Sequence, residues 1–358
     1  MTADATLIVA ATALSFLTAT LLVPRARHAA CRYQLTDRPA RGKLHTQATP
    51  YLGGLAIILA VATSISLLPA WTTMGATILI GGVVVGLVGL IDDARKLGPG
   101  VRVATETAAA SLVVVSGVSM HVFGGPLDGV LTVGWLVLVT NAFNLLDNID
   151  GAAAAVAVCT SVMLLAAALI GGQSLVIGLA GVIGGASLGF LIYNWHPAKI
   201  FMGDTGSLFL GFVLAAAVLM LRFPANRLAG GVATSLMILP ALFDTALVVL
   251  SRIRAGRPVY VGGTDHTSHR LLRLGISPEW VVVILGSASL ACGGLGLAVG
   301  RGAVPVGAAL LAVLAFAIPL LTTLMRMPVY EDLSGRVRPE DETGSVNTKR
   351  RELAANAS

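Results

Sequence analysis

Residues 74–96 read MGATILIGGVVVGLVGLIDDARK, an unbroken apolar run from Met74 to Ile91 that stops at Asp92, Asp93, Arg95 and Lys96. A helix needs roughly 17–25 mostly apolar residues to cross a bilayer, and this run meets that length. Its continuity excludes the short alternating segments of a membrane β-barrel. Outward from it, comparable runs occupy 5–23, 51–69, 101–119, 129–146, 151–170, 174–192, 206–221, 231–251, 280–299 and 303–325. Together they predict an all-α, polytopic transmembrane helical bundle of about 11 helices. The first run lacks the basic leader and small-residue site of a cleaved secretion signal, so it is expected to stay in the bundle. Residues 1–328 are expected to form one integral membrane domain. Residues 329–358 are polar and charged and are expected to be a disordered cytoplasmic tail.

The composition agrees. Of 358 residues, 56% are hydrophobic and 12% charged, against roughly 45–50% and 25% in soluble domains. Mean hydropathy is +0.85. So few polar groups cannot cover a water-soluble globule, and a disordered chain needs low hydrophobicity. Cys31, Cys159 and Cys292 are odd in number and far apart. They form neither a disulfide framework nor zinc spacing. The formal charge of +6 arises in basic loops. No basic stripe with interleaved aromatics suggests a nucleic-acid partner.

Those loops set the orientation. Only Arg222, Arg227 and Arg301 lie on one side of the bundle, while the other 21 of the 24 Lys and Arg fall on the opposite side. Basic loops stay in the cytoplasm, which predicts an external N-terminus and a cytoplasmic C-terminus. Most carboxylates outside the tail fall on the same side: Asp37, Asp92, Asp93, Asp147, Asp150, Asp204, Asp244, Asp265 and Glu279. A carboxylate at a helix end in a membrane is costly and usually faces a watery, functional cavity. Their convergence predicts a cytosol-facing site for a cation and an anionic substrate.

Four constellations carry the chemistry. Asp92-Asp93 at a helix C-terminus meets an unfavourable dipole and needs Mg²⁺, Arg95 or Lys96 as compensation; a solvated helix end is the alternative. In Asn141–Gly151, the residues Asn144, Asp147 and Asp150 recur every third position, which on a helix gives one polar face. Oxygen-bearing groups beside Leu and Ile are costly unless they bind something; the alternative is a helix-capping segment. The loop Tyr193–Ser207 contains Asn194, Lys199 and the run Phe-Met-Gly-Asp-Thr-Gly-Ser, with Asp204 between two glycines. Thr205 and Ser207 are expected to cap the next helix, whose N-terminus favours an anion. Asp204 beside that anion calls for an oxygen-seeking ion such as Mg²⁺; an N-capping Asp is the alternative. Last, Asp265–Gly275 carries His266, His269, Arg270 and Arg273. If helical, it is expected to project a cationic patch suited to diphosphate; an amphipathic surface helix or a zinc site is the alternative. The first loop adds Lys43 and His45.

In this order the four motifs resemble the polyprenyl-phosphate N-acetylhexosamine-1-phosphate transferases, from about Lys43 to Gly275. The resemblance is to the undecaprenyl-phosphate GlcNAc-1-phosphate branch more than to the phospho-MurNAc-pentapeptide branch, whose run of three histidines is absent. It implies transfer of a sugar-1-phosphate, most simply GlcNAc-1-phosphate, from a UDP-N-acetylhexosamine to undecaprenyl or decaprenyl phosphate. UMP would be released at the cytoplasmic face of the cell membrane, starting a lipid-linked envelope glycan. It further implies Mg²⁺, with Mn²⁺ as an alternative ion. Asp204 and Asp93 would hold the metal. Asp92, Asp93, Asp147 and Asp150 would be catalytic. Lys43, His45, Asn144, Asn194, Lys199, His266, His269 and Arg270 would contact substrates. A homodimer is compatible with all of this. The sequence departs from the family pattern at Asn148, where many members have Gly, and at Ser268, in place of a middle histidine. The competing class is a transporter, which should carry ionisable groups near mid-span and repeat symmetry. Here the carboxylates sit at cytoplasmic helix ends and no internal repeat is evident. Another UDP-sugar would use the same chemistry.

Overall fold

The computed structural model describes residues 3–37, 48–68, 71–120 and 122–330. The chain runs α1 (Ala3–Arg32), β1 (Thr36–Asp37), β2 (Thr49–Pro50), α2 (Gly53–Ile65), α3 (Thr73–Arg95), α4 (Pro99–Val115) and α5 (Pro126–Leu146). It continues through α6 (Ala152–Ile170), α7 (Ser174–Asn194), α8 (Gly203–Leu219), α9 (Arg227–Met237), α10 (Leu239–Arg254), α11 (Thr267–Arg273), α12 (Pro278–Gly300) and α13 (Val306–Met325).

The axis of the bundle is α8, in which every residue from Thr205 to Leu219 is buried. A helix that is apolar all round belongs at a core. It packs against α2, α3 and α5, while α1 and α6 flank α7, and α12 packs on α6 and α9. On the outside, α13 buries only Ala309 and Leu324, which suits a lipid-facing helix. The chain is a multi-pass membrane protein. Among the described residues, seven helices (α1, α3, α5, α6, α7, α12 and α13) are long and apolar enough to span, and the bent pair α9 and α10, taken as one span, brings the number to eight.

Two expectations change. The run 231–251 is not one straight helix: α9 and α10 meet at a 72° bend. Pro240 lies just past the break at Ile238; it has no N–H to continue the hydrogen-bond ladder and its ring clashes with the turn before it. Likewise, the row from Asn141 to Asp150 does not lie on one helix. The helix α5 ends at Leu146, Asp147 takes φ −78° and ψ 54°, and Gly151 turns at φ +78°.

Hydrogen bonds gather the same ends of many helices. Arg27 Nε donates to the Lys199 carbonyl at 3.2 Å, and β1 pairs antiparallel with β2. Phe201 N donates to the Pro50 carbonyl at 2.8 Å, and Gly53 N donates back to the Phe201 carbonyl at 3.0 Å. The first loop and the 195–203 loop are thereby stitched together beside the start of α8.

Candidate active site

Three helix ends converge on one guanidinium. After α3, the turn at Gly98-Pro99 reverses the chain, and Pro99 starts α4 with its φ already set for a helix. This places Arg102 on the first turn of α4. Its Nη1 donates to Asp92 Oδ2 at 3.0 Å and to Asp204 Oδ2 at 2.9 Å. Its Nη2 donates to Asn144 Oδ1 at 2.9 Å. Asn144 Nδ2 donates in turn to Asp204 Oδ1 at 2.8 Å and to Ser207 Oγ at 2.9 Å. Asp92 Oδ1 accepts from Leu97 N. Two carboxylates from separate helices thus share one positive group, the arrangement that desolvated anions require.

Asp93 points the other way. Its Oδ1 accepts from Asp204 N at 3.0 Å, and its Oδ2 accepts from Thr205 N at 3.2 Å and Thr205 Oγ1 at 3.0 Å. No side chain of α8 caps its own start. The N-cap carboxylate comes instead from α3, satisfying the orphan N–H groups of the first turn and complementing the helix dipole. Thr205 therefore donates to the cap rather than supplying it, and Ser207 donates to the Gly203 carbonyl. This close approach needs glycines. Gly203 has φ +67°, and a Cβ on Gly89 would lie 2.5 Å from the Asp204 carbonyl oxygen. Gly89→Ala is therefore expected to push α8 off α3 at a cost of about 1–3 kcal/mol. The check is a lower melting temperature in detergent; an unchanged melt would show that the two helices can separate freely there.

A second polar rung lies deeper. Glu106, four residues along α4 from Arg102, is 1% exposed. Its Oε2 accepts from Asn141 Nδ2, while its Oε1 has no partner among the described residues. Asp147 is half-buried just past α5. Burial, then the negative charges of Asp204, Asp93 and Asp150, push its carboxyl well above the usual range.

Asp150 and Asn194 hold the 195–203 loop. Asp150 Oδ2 accepts from Ala198 N at 2.9 Å and pairs with His196 Nδ1 at 2.8 Å. Asn194 is 2% exposed; it accepts from Gly151 N at 3.0 Å and donates to the Ile200 carbonyl at 2.9 Å. Lys199 is exposed. Lys43 and His45 lie outside the described residues.

The late segment does not present one cationic patch. His266 Nδ1 pairs with Asp244 Oδ2 at 2.8 Å, and Thr267 N donates to Asp244 Oδ1 at 2.6 Å. The rings of His266 and His269 lie 5.6 Å apart. His269 Nδ1 is buried with no partner among the described residues. Burial, then the charge of His266, pushes the His269 ring down to about 4, so it is neutral at pH 7. Ser268 Oγ donates to Asn148 Oδ1: the two positions that depart from the family pattern touch each other.

Arg270 is fully buried. Its guanidinium donates to the carbonyls of Asp265 and Leu324 and to Ser251 Oγ. Arg273 Nη1 donates to the Pro328 carbonyl at 2.7 Å. Cations at a helix C-terminus satisfy its last carbonyls and oppose its dipole, so this pair latches the end of α13. The donor contact expected of Arg270 is thus replaced by an internal one. Arg270→Ala is expected to cost roughly 3 kcal/mol through lost hydrogen bonds to a charged group. A clear drop in melting temperature checks this; a raised substrate KM at unchanged melting would return Arg270 to the donor.

Beside it, Arg252 and Asp265 form a buried two-point ion pair, 2.8 Å on each side, with Tyr330 Oη donating to Asp265 Oδ2 at 2.6 Å. Burial would raise the Asp265 carboxyl, but the hydrogen bonds from Arg252 and Tyr330 and the charge of Arg252 hold it at about 2.

Arg102, Ser207 and Glu106 were not singled out as site residues from the sequence, and Asp244 stood there only as one of the carboxylates on the cytoplasmic side. Arg102 was counted as an orientation signal. Its place ten residues after Asp92, across a Gly-Pro-Gly turn, was the available clue. Glu106 was an ionisable group inside an apolar run, which by itself marks a site.

Among the described residues, no three His, Cys, Asp or Glu side chains gather as a complete metal cage. A match to glycosyl transferase family 4 spans residues 75–222, which covers α3 to α8 and the whole carboxylate centre. The chain is 33% identical to a probable undecaprenyl-phosphate N-acetylglucosaminyl 1-phosphate transferase of Bacillus subtilis, over 78% of this chain and 81% of that one. It is 34% identical to a decaprenyl-phosphate N-acetylglucosaminephosphotransferase of Mycolicibacterium smegmatis, over 72% and 73%. It is 30% identical to a phospho-N-acetylmuramoyl-pentapeptide-transferase of Heliobacterium modesticaldum, over 60% and 74%.

Proposed function

The chain belongs to glycosyl transferase family 4, and on that ground we propose that it transfers N-acetylglucosamine-1-phosphate from a UDP-sugar to a polyprenyl phosphate at the cytoplasmic membrane face, releasing UMP. The observation that carries this is the convergence of Asp92, Asn144 and Asp204 on one positive group at one end of a membrane bundle. A polyprenyl chain is confined to lipid and a UDP-sugar to water. A polar centre at the ends of α3, α5 and α8 is where the two can meet.

The donor set suits Mg²⁺ or Mn²⁺. Such ions take hard oxygen ligands, and Mg²⁺ is commonly held by one or two carboxylates, with substrate phosphates and waters completing the shell. Asp92 and Asp204 are two such carboxylates, already gathered about a cation, so the lack of a third protein ligand is no obstacle. When bound, the ion would offset the charge of the diphosphate and the UMP leaving group.

The chain's own residues do the rest. Ser207 accepts from Asn144, and Asn144 aims Asp204. Asp93 fixes the start of α8 and so acts as a positioning residue. Asp147 is the remaining carboxylate of the group and would orient the acceptor phosphate. Asp150 and Asn194 hold the loop before α8 in shape. Asp244 locks the His266 ring, and neutral His269 lies beside it, a pair suited to the nucleotide side of the donor. Arg102 supplies positive charge where phosphate meets diphosphate, the place of greatest repulsion.

For the topology, the short helices α2, α4 and α8 are counted as crossings with the eight longer spans, giving 11, an external N-terminus and a cytoplasmic C-terminus. Single thiols introduced at Arg95 or Lys199 are expected to resist an impermeant reagent in intact cells, and one at Arg227 to react. The reverse pattern would invert the bundle.

Purified protein given Mg²⁺, polyprenyl phosphate and a panel of UDP-sugars is expected to release UMP and lipid-linked product with UDP-GlcNAc. No UMP with any donor would reject the proposed activity.

A further inference from the structure

We propose that Arg102 is a built-in counter-ion occupying the divalent-cation position, and that the ion binds by displacing it. This rests on reading the site as a metal-dependent transferase. All four oxygens of the two candidate ligands are already engaged. Asp92 Oδ1 accepts from Leu97 N and Asp204 Oδ1 from Asn144 Nδ2, while Oδ2 of both accepts from the same Arg102 Nη1, at 3.0 and 2.9 Å. The two oxygens that face each other across the site therefore meet on a single guanidinium nitrogen. A divalent ion on those oxygens would lie within a few ångströms of that nitrogen, and two positive charges at that range repel strongly. One of them must leave.

Arg102 is able to leave. It stands on the first turn of α4, beyond Gly98 and Pro99, and its side chain is 18% exposed, so the guanidinium has a water-facing side. Its Nη2 stays anchored on Asn144 Oδ1, which keeps the group at the rim once Nη1 is free. A planar guanidinium with freed N–H groups is suited to a two-point grip on phosphate oxygens. The diphosphate that brings the divalent ion would thus also offer Arg102 a new partner. Metal and donor enter together, and free metal alone binds weakly. The carboxylates never stand unpaired at the membrane edge between turnovers, where uncompensated charge is costly.

The test uses full-length protein in detergent without substrates. Mn²⁺ binding is read from the electron paramagnetic resonance signal of free Mn²⁺. Arg102→Gln is expected to bind Mn²⁺ about tenfold tighter than wild type or more, because it removes the competing charge. Arg102→Lys keeps the charge and should stay near wild type. Unchanged or weaker binding in Arg102→Gln overturns the proposal. A second readout needs no variant. Phenylglyoxal modification of Arg102, followed by peptide mass spectrometry, is expected to speed up severalfold when Mn²⁺ is added. An unchanged or slower rate overturns the proposal even if Arg102→Gln fails to fold. Neither readout depends on turnover. A lack of UMP release with every UDP-sugar would therefore count against the proposed function alone.

Discussion

Asp204→Asn is expected to lower turnover by about 10³-fold, the upper range for removing one electrostatic contact from a transition state. The change keeps size and shape. Both Asp204 oxygens accept from neutral or cationic donors, Asn144 Nδ2 and Arg102 Nη1. An amide oxygen can still accept one of these, but its NH₂ then faces a donor. The negative charge is lost, and with it half of the carboxylate pair gathered about Arg102. The start of α8 is held through backbone N–H groups to Asp93, so the helix should stay in place. UMP release with UDP-GlcNAc and polyprenyl phosphate, at limiting Mg²⁺ and with melting temperature as the folding control, decides it. Wild-type turnover in a folded Asp204→Asn protein would remove Asp204 from the centre of the chemistry.

Asp265→Ala should give the largest loss of stability, about 3–5 kcal/mol, because breaking a buried ion pair strands the remaining charge. Arg252 and Asp265 side chains are 3% and 1% exposed, so solvent screens them little. Removing the carboxylate also takes the partner of Tyr330 Oη. The Asp265 carboxyl is held at about 2, below its ordinary 3.8. Its contribution is therefore present above about pH 4 and lost as the pH falls toward 2. The deficit of Asp265→Ala relative to wild type should be full at pH 7. A melting temperature within a degree or two of wild type at that pH would show that Arg252 finds water or another anion. Asp265→Asn, whose one oxygen can still accept from Arg252 Nε and Tyr330 Oη while its NH₂ faces Arg252 Nη2, should fall between.

The helical bundle was legible because apolar run length is a direct reading of bilayer thickness. The break at Ile238 was missed because hydropathy is blind to a proline inside an apolar run. Asp92, Asn144 and Asp204 were legible as site residues because uncompensated polar groups at helix ends in an apolar chain demand a partner. Which partner was not legible. Arg102 comes from another helix, and pairing across helices leaves no local spacing to read. The same limit separates neighbours: Asp92 faces the Arg102 guanidinium while Asp93 caps α8, though in the sequence they are a simple pair. The late segment misled for a related reason. Three-residue spacings put His266 with His269 and Arg270 with Arg273 in one expected patch, but a seven-residue helix with His266 at its N-cap divides them. Two of its side chains turn to Asp244 and the end of α13, both distant in sequence.

The latch on α13 has a consequence for how the molecule is made. Every residue of the carboxylate centre has been synthesised by Ser207, so α3, α4, α5 and α8 can assemble while the last helices are still being made. The late segment cannot. The buried guanidinium of Arg270 needs the Leu324 carbonyl, and Asp265 is completed by Tyr330. At about 5–20 residues per second, the interval between the two stages is on the order of ten seconds. Within it, Asp265 and Arg270, once made, wait for Tyr330 and Leu324. The protein is thus built in two instalments, the carboxylate centre first and the histidine side last, and a chain arrested before α13 would carry the first without the second.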